Sequence, residues 1–298
     1  MAAMNGADPL LFEVLMDAAW RAPEHDDGGA WVLRSAGGVT QRANSVWPRL
    51  AAPDPVAELA RATDWYAARR QPVIFQLLAH ERHAALEELL DRRRFSRNSE
   101  TLVMIRPARP APPAAQSAVS PASSYASSPA SPSRGNAVEL ADNPSEEWLQ
   151  LWWQLEGRGG PAERAVAERI LAATPSRYAT VYDDTGGVAG VGRLAVLDES
   201  AVVAAGSGGT VSDGSRTGAR WGGIYAMAVR PDARRQGVAA AILDALLADG
   251  AARGVADFFL LVTAANAGAR ELYAAAGFAE AARYHYRQAP LQRASGGC

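Results

Sequence analysis

Between Ala108 and Ala137 the chain reads ARPAPPAAQSAVSPASSYASSPASPSRGNA. Proline, alanine and serine dominate this run, and no apolar residue recurs at helix or strand spacing. Such a composition buries too little surface to offset the entropy of ordering it, so a semi-extended linker is expected. Everything that packs must then come from the residues on either side. In a chain of 298 residues each side is long enough for a domain of ordinary size with a core of its own. The expected division is an N-terminal domain over 1–107, a linker over 108–141 and a C-terminal domain over 142–298.

The charge balance excludes several partner classes. With 30 basic and 32 acidic residues and a formal net charge of −2, there is no electrostatic footprint for nucleic acid or for an anionic membrane. Every basic side chain is arginine, so no lysine is available as nucleophile or Schiff base. The single cysteine, Cys298, is the last residue, which rules out an internal disulfide or a cysteine zinc cluster. His25, His80 and His83 lack a further ligand, although the last two share a helix face, and no metal is expected. No basic segment followed by an apolar run opens the chain, and no apolar stretch nears the roughly 20 residues of a membrane span. A cytoplasmic protein is expected.

In the N-terminal part, PLLFEVLMDAAW predicts an amphipathic helix over Pro9–Trp20. AWVLRSAGGVTQRANSV predicts a hairpin turning at Gly37-Gly38. DPVAELARATDWYAARR predicts a helix capped by Asp54 with Pro55 at its first position. A buried strand (PVIFQLL), a helix (RHAALEELLDRRR) and a closing strand (ETLVMIRP) follow, giving an α/β or α+β layer. RANSV, Arg42 to Val46, is a polar insert in a strand context suited to lining a cleft, but the half as a whole reads as structural.

In the C-terminal part, Ser145 caps PSEEWLQLWWQLEG, and RYATVY-DDTGG-VAGVGRLAVL forms an antiparallel hairpin. After a Gly/Ser loop, GSGGTVSDGSRTG, come the strand GGIYAMAV, a turn and helix, the strand DFFLLVT, the helix AGARELYAAAG and a last strand, EAARYHYRQ. The chemistry is densest in VRPDARRQGVAAAILDAL, Val229 to Leu246. There a strand apolar from Ile224 to Val229 hands over through arginines and Gly237 to an alanine-rich helix. The first N–H groups of a helix have no internal partner, and the end of a strand in a right-handed crossover is where they meet an anion. Gly237 lets a phosphate approach the backbone, Ala239 stays small, and Arg234 and Arg235 add charge.

Two motifs in order carry a family resemblance over about 140–290. The first is Arg234-x-x-Gly237-x-Ala239, preceded by Val229 and Pro231. The second is NAGARELYAAAGF, with Asn266, Ala269, Leu272, Tyr273, Gly277 and Phe278 at the signature spacing. Together they resemble the GCN5-related N-acetyltransferase superfamily. The resemblance implies a mixed α/β (α+β) fold: a mostly antiparallel central sheet with a splayed parallel pair, flanked by helices. It implies acetyl-CoA as co-substrate and no metal. Arg234, Arg235, Gln236, Gly237, Val238, Ala239 and Ala240 match the pyrophosphate turn, Met227, Ala228 and Val229 the strand edge beside the pantetheine arm, and Asn266 a contact to the same arm. Tyr273 matches the tyrosine beside the cofactor sulfur, a phenol that keeps its proton at neutral pH and suits a departing thiolate.

The acceptor side is less marked. Glu156, Tyr225 and His285 are the candidate substrate residues, His285 because its ordinary pKa is near neutrality and strand alternation separates it from Tyr284 and Tyr286. The N-terminal part resembles a smaller, degenerate copy of the same fold: it lacks the phosphate turn and has Arg94-Phe95 where Gly-Phe would stand. The whole is similar to two-domain actinobacterial acetyltransferases. The expected activity is acetyl transfer to a primary amine of a small molecule, protein or peptide, with Tyr273 protonating the CoA thiolate. A non-catalytic acyl-CoA sensor or partner-binding module is the alternative.

Overall fold

The computed structural model describes residues 9–107, 137–198 and 220–290. The expected linker (apart from its last few residues), the whole Gly/Ser loop and Cys298 lie outside them. The N-terminal part contributes α1 (Pro9–Ala19), β1 (Glu24–Asp26), β2 (Val32–Ser35), β3 (Val46–Trp47), α2 (Pro55–Ala67), β4 (Ile74–Leu78), α3 (Ala84–Arg92) and β5 (Ser96–Pro107). The C-terminal part adds β6 (Val138–Ala141), α4 (Glu146–Glu156), α5 (Pro161–Ala172), β7 (Ser176–Tyr182), β8 (Val188–Leu197) and β9 (Arg220–Val229). It closes with α6 (Val238–Ala252), β10 (Val255–Thr263), α7 (Ala267–Ala275) and β11 (Ala279–Gln288).

These strands form one sheet in the order β1-β2-β3-β4-β11-β5-β10-β9-β8-β7-β6. Most pairs are antiparallel; β3–β4 and β9–β10 are parallel. This is the mixed sheet that the resemblance implies. The order is palindromic about the central β11–β5 pair, with the two parallel pairs at mirrored positions. Each part sends its last strand across: β5 lies between β10 and β11, and β11 lies between β5 and β4.

The packing is correspondingly shared, whereas the linker suggested a core on each side. One apolar cluster joins Phe12, Trp20, Trp47 and Val103 to Trp148, Trp152, Tyr225 and Phe259. A second, beneath α6 and α7, includes Leu102 and Met104 from β5. A third belongs to the N-terminal elements and β4, around Trp31, Leu33, Tyr66 and Phe75.

Local chemistry explains most elements. Asp54 accepts from the N–H groups of Val56 and Ala57 at 3.0 Å, with Pro55 at the first helical position. Ser145 Oγ accepts from Trp148 N–H at 3.1 Å and starts α4. Helix α5, not among the elements expected from the sequence, starts at Gly160-Pro161, with the Glu163 carboxylate accepting from Gly160 N–H at 2.7 Å. His80 and His83 do not share a helix face: His80 is extended and caps a short 3₁₀ turn at Glu81–His83.

Helix α1 is not amphipathic in the expected sense. Residues 12–20 are buried throughout, and the two acids among them are paired instead of solvated. Glu13 meets Arg82 and accepts from Trp47 Nε1 at 2.9 Å. Asp17 meets Arg34 at 3.1 Å and His25 at 3.3 Å. Arg34 is completed by Ser45 Oγ at 2.8 Å and Gln76 Oε1 at 2.7 Å, so this buried charge is fully hydrogen-bonded. No helix among the described residues is long and apolar enough to cross a membrane.

Candidate active site

The site begins where the parallel pair β9–β10 parts. The last pairing is Leu260 with Ile224. Beyond it, β9 continues along β8 through Val229, paired with Gly190, while β10 continues along β5 to Thr263, paired with Thr101. The cause is local. The β8–β9 register slips between Val191 and Arg193, and Ala226 takes a left-handed φ of 51°. Such a bulge increases twist and re-aims the strand, opening a wedge between two strands that remain anchored on their outer edges.

The turn expected to hold phosphate follows directly after that wedge in the chain. Gly237 has φ 82° and no side-chain cap. The first bond of α6 runs from Ala241 N–H to Gly237 O at 2.9 Å, so the N–H groups of Val238, Ala239 and Ala240 precede the helical ladder. Arg234, Arg235, Gln236 and Gly237 are exposed, and Arg235 is also left-handed, at φ 61°. The turn is braced from below. Arg230 pairs with Asp183 at 2.7 Å and Asp232 at 2.6 Å, and Gln236 Nε2 donates to Asp232 O at 2.9 Å. A glycine in β8 brings the helix close: a Cβ at Gly192 would stand 2.5 Å from Ile242 Cγ2.

The wedge widens into a cleft of about 460 Å³. Met227, Asn266 and Tyr273, three of the residues expected at the cofactor, line it together with Glu156 and Tyr225. Asn266 caps α7, its Oδ1 accepting from Ala269 N–H at 3.1 Å. Tyr273 is 8 % exposed, and burial pushes its phenol up to about 12, so it holds its proton across the neutral range. Burial also raises the Glu156 carboxyl above its ordinary value, opposed by the charges of Arg158 and Arg234. Tyr225 is buried, stacked on Trp20 at 5.4 Å, and its phenol is raised mainly by burial.

His285 is not brought into this cleft. Tyr284 and Tyr286 line it, and alternation along β11 turns His285 to the opposite face, where its Nε2 lies 2.7 Å from Glu87 Oε1 and the side chain is 3 % exposed. Burial lowers its pKa, with Glu87 opposing and Arg97 reinforcing the shift. Its place in the sheet makes it a packing residue instead of a substrate contact.

The N-terminal part does more than scaffold. Trp20, Thr40, Gln41, Arg42, Ser99 and Thr101 all line the cleft. RANSV carried the one signal, a polar insert where a strand should be. Ser99 and Thr101 carried none, because nothing local says that β5 crosses into the other part's sheet.

A mostly antiparallel sheet whose parallel pair parts before a glycine-started helix defines the GCN5-related N-acetyltransferase class. Residues 12–287 match the family described as "Probable histone acetyltransferase Rv0428c C-terminal", and the chain belongs to it. It is similar to the "Uncharacterized N-acetyltransferase YobR" of Bacillus subtilis (strain 168), 23% identical over 280 residues, 92% of this chain and 96% of that protein. Among solved structures, the fold is shared with a GCN5-related N-acetyltransferase from Kribbella flavida at TM-score 0.56 and 15% identity, covering 98% of this chain and 99% of that one. It is shared also with a tandem GNAT protein from the clavulanic acid biosynthesis pathway, at TM-score 0.55 and 12% identity, covering 98% and 91%.

Proposed function

We propose that this acetyltransferase uses acetyl-CoA and transfers the acetyl group to a primary amine by direct attack, with Tyr273 protonating the departing CoA thiolate. The observation that carries the reading is the alignment of the three parts. The parted strand pair and a proton-holding phenol line one cleft, and an uncapped helix start follows the parted strand β9 in the chain.

The residues divide the work. Arg234 to Ala240 supply backbone N–H groups and positive charge for the pyrophosphate. Met227 to Val229, released from β10, offer strand-edge groups to the pantetheine arm, and Asn266 borders the same channel. Acetyl-CoA supplies the activated acyl group. Backbone dipoles along the parted strand polarise its carbonyl, and positioning accounts for much of the rate. Glu156 lies where the amine must shed a proton, and a carboxyl raised toward neutrality is a better base than an ordinary one. Tyr225 closes the acceptor side. In this reading 142–298 carries the catalytic groups, and 1–107 is a degenerate copy that has become part of the acceptor wall.

Gly237→Glu tests the placement, with Gly237→Ala as the control for backbone strain alone. Acetyl-CoA is expected to raise the melting temperature of the wild type and, more weakly, of the alanine variant, but not of the glutamate variant. Undiminished stabilisation of Gly237→Glu would refute the phosphate site. Release of free CoA with a panel of amines separates an enzyme from a non-catalytic sensor.

A further inference from the structure

Among the described residues, two side chains that carry charge line the cleft, Glu156 and Arg42. Arg42 lies in the loop between β2 and β3, and its situation is unusual. It takes part in none of the ion pairs among the described residues. Its polar neighbours are the phenols of Tyr284, Tyr225 and Tyr286, with a hydrogen bond to Tyr284. Its guanidinium carbon stands 5.2 Å from the ring centre of Tyr225 and 5.8 Å from that of Trp20. Its Nε is buried without a hydrogen-bond partner among the described residues, and so is the hydroxyl of Tyr225 beside it.

Arg34 shows what this chain does with a structural buried arginine. It comes from the same part of the chain and has Asp17, Ser45 and Gln76 around it. Arg193, whose guanidinium also lies over the Trp20 ring, has the carbonyls of Ala19 and Leu171, although its Nε is likewise buried without a partner among the described residues. Arg42 has neither arrangement, yet a guanidinium stays charged under any condition the protein meets. Arg42 is half-buried and lines the open cleft, and holding a cation against phenols alone, with no counter-charge, is costly.

We infer that the acceptor is a small amine carrying a carboxylate, with the carboxylate received by Arg42 and the amine lying toward Glu156. This rests on the acetyltransferase reading above. The planar fork of arginine matches a carboxylate, and one guanidinium balances one negative charge. A phosphate monoester, close to doubly charged at neutral pH, would leave a charge unmatched.

The test compares acceptors that differ by the carboxylate: phenylalanine with phenethylamine, and 4-aminobutyrate with butylamine, with phosphoethanolamine as a third arm. Each is assayed by CoA release and also titrated calorimetrically into wild-type protein saturated with CoA, so that a slow acceptor still reports its binding. In the wild type at least one carboxylated member is expected to exceed its partner by about a hundredfold in kcat/KM or affinity. In Arg42→Met that preference is expected to fall to within about threefold, while acetyl-CoA still raises the melting temperature. Arg42→Lys, a point charge without the fork, is expected to lie between the two and serves if the methionine variant does not fold. Equal values within both pairs, no binding of either carboxylated member, or a preference for phosphoethanolamine would overturn the inference and leave the acetyl-CoA reading standing. Failure of the wild type to bind acetyl-CoA would overturn that reading and this inference with it.

Discussion

The sheet contains two parallel pairs at mirrored positions, each followed across its crossover by a helix, and they have opposite fates. In the C-terminal pair, β9 leads to α6, whose start at Gly237 has no side-chain cap. In the N-terminal pair, β3 leads to α2, whose first N–H groups are already taken by the Asp54 carboxylate. One helix start leaves its donors without a side-chain cap; the other carries its own anion. The space below also differs. The C-terminal pair opens into the cleft, whereas Trp31, Val46, Leu59, Tyr66 and Phe75 pack into one apolar cluster around the N-terminal pair. The same architecture thus becomes a site or a scaffold through a few residues at the helix start and in the wedge.

The comparison can be broken most severely by separating the parts. Because β5 is hydrogen-bonded on both edges by C-terminal strands, residues 137–298 expressed without 1–107 are expected to show no cooperative thermal unfolding, and co-expression of the two fragments is expected to restore it. A sharp melt from the C-terminal fragment alone would show that the exchange is dispensable.

Tyr273→Phe sharpens the catalytic side. Turnover is expected to drop by about 10²–10⁴-fold while the concentration of acetyl-CoA giving half-maximal stabilisation stays nearly unchanged. Equal turnover would remove the phenol from the acid role. The wild-type rate should show no loss from this group on the alkaline side until pH approaches about 12.

Asp17→Asn tests the buried network of the N-terminal part and should cost about 3–5 kcal/mol, read as a lower denaturant midpoint. Burial pushes the Asp17 carboxyl up, but His25 and Arg34 outweigh it and hold it below its ordinary value. Its contribution is therefore complete above about pH 4 and is lost as the pH falls through the folded value. Wild-type stability should decline over that acid range, and Asp17→Asn should lack this share of the decline.

The smallest effect belongs to Asp54→Ala, expected to cost about 1 kcal/mol as a lost N-cap. Calorimetry should still count one acetyl-CoA per chain, because the filled core beneath α2 remains. A second bound molecule would mean that the carboxylate alone had closed the mirrored site.

Much of the C-terminal part was legible because its signals are local. Gly237 stands where the backbone needs a positive φ, Asn266 caps its helix, and Ser145 starts another. The exchange of β5 and β11 was not legible. Leu102, Val103 and Met104 read as a buried strand whichever neighbours they take, since apolar pattern fixes burial and leaves the partner open. The position of Arg42 in the cleft depended on that exchange and on the packing of Trp20 and Tyr225. The linker argued for two independent cores for the same reason: composition marks where a chain can be cut in sequence and is silent on whether strands cross the cut.

The crossing strands also set an order of events in time. The partner of Pro107 on β10 is Asp257, and the partner of Ser96 on β11 is Gln288. On a ribosome, β5 is finished long before either neighbour has been synthesised, and its apolar edge waits unpaired through most of translation. Closure of the sheet is then a late, long-range event, with slow folding and exposure to edge-to-edge association as its consequences. The cleft wall supplied by β5, β11 and the Arg42 loop is completed only at that final step, so a nascent or truncated chain does not carry a finished cleft.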